Sequence, residues 1–146
     1  MNKQHLGSKI TIKIFRLIFY ICAVFFLLMA AGMIFFPHFL LRGTLGNNAN
    51  PVIIGMFRGA GGSIAPYSVL YYLAARRPFK LKWAFYIIAL ANVFAIILDL
   101  SSVFLGEYKF SNAMIDLPFE VLSLVGVTLF WTKIRFMNED ERKLYK

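Results

Sequence analysis

Three ionisable residues lie well inside the apolar runs of this chain, Arg58, Asp99 and Glu120. Together they offer the chemistry of a guanidinium fork facing two carboxylates. A charge held in hydrocarbon costs several kcal/mol unless it pairs, meets water or reaches the interface. Arg58 is long enough to reach outward alone, whereas the shorter Asp99 and Glu120 are not. An interior cluster in which Arg58 donates to one or both acids satisfies all three. Fully ionised, that cluster keeps a residual negative charge, which invites a proton on one carboxylate or a bound cation. The competing reading is an ion pair that fixes helix order and does nothing else.

The neighbours of these residues extend the polar set. Arg58 sits in Gly55-Met56-Phe57-Arg58-Gly59-Ala60-Gly61-Gly62-Ser63. Gly55 and Gly59 form a small-x-x-x-small pair, and with Gly62 they are expected to let helices pack closely. The segment is no phosphate-binding loop, because it lacks the closing Lys and Ser or Thr. Ser63 and Tyr67 add hydroxyls to the same helix. Asn92, Ala95 and Asp99 are three and four residues apart, so they share a helix face with Asn92 about 10 Å deeper. Ser123 shares a face with Glu120. Asp116 stands one turn above Glu120, but it and His38 read as solvated residues near the outer mouth. No catalytic residues are assigned: both histidines lie outside the apolar runs, and the single Cys22 forms neither a disulfide nor a metal site alone. Neither a metal nor a cofactor is expected.

The elements that must position these residues are four apolar runs at about 12–36, 52–75, 83–105 and 113–134. In a chain of 146 residues that is 60% apolar, several helices of this kind would leave a large apolar surface in water. The sequence therefore predicts an all-α, integral membrane four-helix bundle, one transmembrane domain over 1–146 with a charged cytoplasmic tail at 135–146. The first run is long for a signal peptide and reads as an uncleaved helix ending at Pro37. Asn50-Pro51 supplies an N-cap and a first helical residue for the second, after the polar stretch Gly46-Asn47-Asn48-Ala49. Ser111 or Asn112 is available to cap the fourth, and the tail is expected to continue it as a fraying helix.

The net charge of +9 is gathered between the runs rather than on one amphipathic face. This argues for topology and anionic headgroups and against nucleic acid. Lys3 and Lys9 precede the first run, Lys13 and Arg16 stand at its start, and Arg76, Arg77, Lys80 and Lys82 separate the second from the third. The other two loops hold only Arg42 and Lys109. That asymmetry places both the N-terminus and the C-terminus in the cytoplasm. Arg58, Asp99 and Glu120 then fall six to seven residues from the outer surface on three helices, at one depth of about 9 Å.

Pro37 before Leu40-Leu41, the Phe57-Arg58-Gly59-Ala60-Gly61-Gly62 segment, Asp99 and Glu120 give the chain a resemblance that spans Ile12 to Trp131. It resembles a group of small four-helix bacterial integral membrane proteins of unassigned function. Where that group carries an Arg toward the end of its third span, this chain has Asp99. The resemblance implies a multi-pass protein of the cell inner membrane and supplies no activity. The reading that follows is a small membrane binding or accessory protein, whose Arg58, Asp99 and Glu120 cluster recognises a lipid, a small amphiphile or a partner. A proton- or cation-coupled small transporter acting as a homo-oligomer is the alternative, followed by a membrane enzyme acting on a lipid or quinone with Glu120 as base.

Overall fold

A computed structural model describes residues 3–45, 50–107 and 109–137. Among them the secondary structure is helical, with no strand: α1 (Lys3–Phe35), α2 (Pro37–Leu45), α3 (Pro51–Arg76), α4 (Ala84–Phe104), α5 (Phe110–Ala113) and α6 (Leu117–Thr132), followed by a short 3-10 turn, Ile134–Phe136. Three helical stretches are long and apolar enough to cross a membrane, Ile10–Phe35, Ala84–Phe104 and Leu117–Phe136. Their outward faces are apolar as well. Phe104 is 90% exposed and Leu28 66%, an arrangement suited to lipid and costly in water. This is a membrane protein. The long helix α3 falls outside that set, since its composition is diluted by Arg58, its glycines and Pro66.

Local signals explain several helix ends. Pro37 cannot continue the hydrogen-bonding of α1, so it ends that helix and opens α2. Asn50 caps α3 by accepting from the Ile53 amide at 2.9 Å, with Pro51 at the first helical position. The helix then runs unbroken through Pro66. Gly106, at φ 74°, follows the end of α4 in the left-handed region that favours glycine.

The fourth apolar run differs from its expected form. Instead of one helix from 113, it contains the single turn of α5, a non-helical step at 114–116, and then α6. Asp116 caps α6 by accepting from the Leu117 amide at 3.1 Å, and Pro118 occupies its first turn. Ser111 and Asn112, the expected caps, instead lie inside the short α5, whose N-cap position is Lys109. At the other end, Lys133 leaves helical geometry with φ −127° and ψ −53°, so α6 ends there and the described residues continue as the 3-10 turn, with Ile134 and Met137 buried. Residues 138–146, Tyr108 and the 46–49 stretch lie outside the described residues.

α1 runs between the other long helices. It packs along α3 and against α6, while α6 carries α4 and contacts between α3 and α4 are sparse. Two glycines make the close approaches possible. A Cβ at Gly61 would meet the Met33 Cβ at 2.8 Å and the Ala30 carbonyl at 3.1 Å; at Gly126 it would meet Phe19 Cε2 at 2.5 Å. The glycines expected to pack helices, Gly55, Gly59 and Gly62, instead face open space, with nothing within 4 Å of a Cβ at any of them. They lie on the face of α3 turned away from α1.

The bundle is filled unevenly along its length. At the end bearing the 77–83 turn, Phe15, Phe19, Tyr71, Phe85 and Phe130 are fully buried and bring all four long helices together. Phe85 stacks on Phe130 with centroids 3.9 Å apart, and Phe19 meets Phe85 at 5.5 Å and Tyr71 at 5.4 Å. Cys22 belongs to this core, its thiol directed at the Phe119 carbonyl 3.8 Å away. Toward the opposite end, where α3 and α4 scarcely meet, the bundle is hollow.

Candidate functional site

The hollow is a cavity of about 600 Å³. Its walls come from Phe25, Phe26 and Met29 of α1, Ala60, Ile64 and Tyr67 of α3, and Ala91, Ala95 and Leu98 of α4. Spacing of three and four residues puts each set on one helix face. Asp99 enters from α4, and Asp116 and Glu120 from the start of α6.

The three acids form one cluster. An oxygen from each of Asp99, Asp116 and Glu120 lies within 4.8 Å of the others. Asp116 reaches this position because its own helix starts there: the side chain that caps α6 also stands beside Asp99. Glu120, one turn later, is only 5% exposed, and its Oε2 is buried without a hydrogen-bond partner. A carboxylate in the first turn gains from the positive end of the helix dipole, an effect too small to replace lost solvation.

At the floor, polar groups are tied together. Asn92 donates to the Ile88 carbonyl and to the Tyr71 hydroxyl, both at 2.6 Å, and Tyr71 is hydrogen-bonded to Ser123 at 2.5 Å. Since the Tyr71 oxygen accepts from Asn92, its own proton is available to Ser123. Asn92, Tyr71 and Ser123 are all buried, so this chain links α3, α4 and α6 below the acids.

Of the residues singled out from the sequence, Asp99, Glu120, Asn92 and Tyr67 line one cavity. Arg58 does not join them: it is exposed, lines no part of the cavity and forms no ion pair with Asp99 or Glu120. The reason is rotational. Arg58 is two residues from Ala60, or about 200° around the helix, so a shared depth leaves it on the opposite face. Ser63 is also exposed and donates to the Gly59 carbonyl at 3.1 Å. His38 is exposed on α2. Asp116, read from the sequence as a solvated residue, completes the cluster in place of Arg58. Its signal was present in Asp116-Leu117-Pro118, a capping residue followed closely by proline. Tyr71 belongs to the buried floor.

No family model, curated protein or solved structure matches this chain. What the site does must therefore be argued from its own geometry.

Proposed function

We propose that this chain is a small multi-pass membrane binding protein that receives a lipid or small amphiphile between its helices. The supporting observation is a cavity of about 600 Å³ with apolar and aromatic walls and polar groups at its mouth and floor, the composition and scale of a ligand pocket. The scarcity of contacts between α3 and α4 supports entry from the bilayer side. With Arg58 outside the cluster, the polar end is acidic, so it suits a ligand bearing hydrogen-bond donors or positive charge. An anionic headgroup is left to the exposed Arg58.

In this reading α3 is the fourth span, supported by its 26-residue length and its packing along α1. Both chain ends then lie in the cytoplasm, and the inner membrane is the compartment that the basic loops and the bacterial resemblance favour. Native mass spectrometry of protein released from mild detergent provides the test. The wild type is expected to retain a discrete lipid or amphiphile, and Ala95→Phe, which pushes a ring into the cavity, is expected to lose it while keeping its helical content. Equal retention by both proteins would overturn the reading.

The cluster of three acids within 4.8 Å favours a second reading, a proton- or cation-coupled transporter. Four helices are few for an alternating-access path, so this reading requires a homo-oligomer. The open Gly55, Gly59 and Gly62 face of α3 is available for its assembly.

A further inference from the structure

We infer that Asp99, Asp116 and Glu120 hold a divalent cation of the size and hardness of Ca²⁺ or Mn²⁺. The inference rests on reading the acidic end of the cavity as a binding site, and is independent of whether an amphiphile fills the apolar remainder.

The geometric argument begins with ligand spacing. Two oxygens on opposite sides of an ion are separated by about twice the metal–oxygen distance, and for Ca²⁺ that distance is about 2.3–2.6 Å. One oxygen from each of the three carboxylates lies within 4.8 Å of the others, a separation that such an ion spans. Mg²⁺, with bonds of about 2.0–2.1 Å, demands near-octahedral order and gives up its water reluctantly, so an all-carboxylate cage suits it less. The donors are all carboxylate oxygens, which suit hard cations, and no thiol or imidazole in the cavity lining favours a softer one.

The second observation is the state of Glu120. This side chain is 95% buried, being 5% exposed; it lines the cavity, and its Oε2 has no hydrogen-bond partner. No basic side chain pairs with it among the described residues. A buried acceptor in this condition loses its hydration without replacement. A cation at the shared centre restores a partner to that oxygen and offsets the mutual repulsion of the acids. Asp99 approaches from α4, whereas Asp116 and Glu120 approach from successive turns at the start of α6. The ion would therefore join α4 to α6 where the aromatic core no longer does so. Three carboxylates leave coordination positions for water or for the polar end of a ligand, as a six- to eight-coordinate ion requires.

The probe is Mn²⁺ itself, titrated into full-length protein in phosphatidylcholine nanodiscs, with loss of the free-ion electron paramagnetic resonance signal as the readout and empty nanodiscs as the control. One Mn²⁺ per protein is expected to bind and to be displaced by Ca²⁺. Glu120→Gln is expected to weaken binding by about tenfold or more, because ligand charge sets affinity at such sites. Asp116→Asn, which keeps an oxygen to cap α6, is expected to weaken it likewise and decides the matter should Glu120→Gln fail to fold. Absence of binding above the nanodisc control, or equal binding by the wild type and a folded variant, would overturn the inference. Retention of an amphiphile with no Mn²⁺ bound would overturn the cation site alone. Mn²⁺ binding with no retained amphiphile would uphold it and count against the amphiphile reading.

Discussion

At the scale of single residues, the contrast between Gly126 and Gly59 is the most direct check on the packing. A Cβ at Gly126 would stand 2.5 Å from Phe19 Cε2, whereas one at Gly59 meets nothing within 4 Å. Overpacking a close contact typically costs about 1–3 kcal/mol. Gly126→Ala is therefore expected to lower thermal stability in detergent, and Gly59→Ala to leave it unchanged or slightly raised by better helix propensity. Equal effects would place α1 wrongly against α6. Tyr71→Phe addresses the floor in the same way. It removes an oxygen that accepts from Asn92 and bonds Ser123, leaving buried groups short of a partner at a cost of about 1–3 kcal/mol. What the sequence made legible at this scale was depth. Counting residues from the span ends brings Asp99 and Glu120 to one level, and both line one cavity. Depth alone admits Arg58 as well, and only its rotation about the axis of α3 excludes it. The cavity-lining residues Ala60, Ile64 and Tyr67 recur at helical spacing, and the same spacing turns Arg58 away.

At the scale of elements, α6 carries the main lesson. Its apolar run was plain in the sequence, but its first residue was not, because apolar character continues through Ala113, Met114 and Ile115. Hydropathy registers the run, while the cap and the proline register the helix. Reading the helix from 113 put Asp116 on a first turn like any other exposed acid. Beginning it at Leu117 makes Asp116 the cap and sets it against Asp99. The capping contribution separates from the charge in a paired comparison. Asp116→Asn retains an accepting oxygen and Asp116→Ala does not, so the alanine variant is expected to be about 1 kcal/mol less stable than the asparagine one. Equal unfolding midpoints for the two would show that the cap contributes nothing. The 3-10 turn after α6 was illegible for another reason. Burial of Ile134 and Met137 depends on where the rest of the bundle leaves room, which no local pattern records.

For the molecule as a whole, the membrane-compatible helices were legible because length and apolar composition are sufficient to find them, and α3 was the exception. Its glycines and Arg58 dilute its composition below that of the three apolar helices. The orientation proposed from the basic loops is open to direct test with a membrane-impermeant maleimide applied to intact cells, in a Cys22→Ala background. A cysteine replacing Lys109 is expected to be labelled, and one replacing Lys80 only after the membrane is opened. The reverse pattern would invert the protein and place its acidic cluster at the cytoplasmic face.

The uneven filling of the bundle has a mechanical consequence. Whatever part of the hollow is left unfilled is free volume, and raised hydrostatic pressure favours any state that eliminates it. The aromatic end, with Phe15, Phe85 and Phe130 in contact, has little volume to surrender, whereas the end around Ala95 and Leu98 has a cavity of about 600 Å³. Compression should therefore be taken up almost entirely by α3 and α4 closing on each other. Any molecule lodged between them would act as a strut, stiffening one half of the protein while leaving the other as it was.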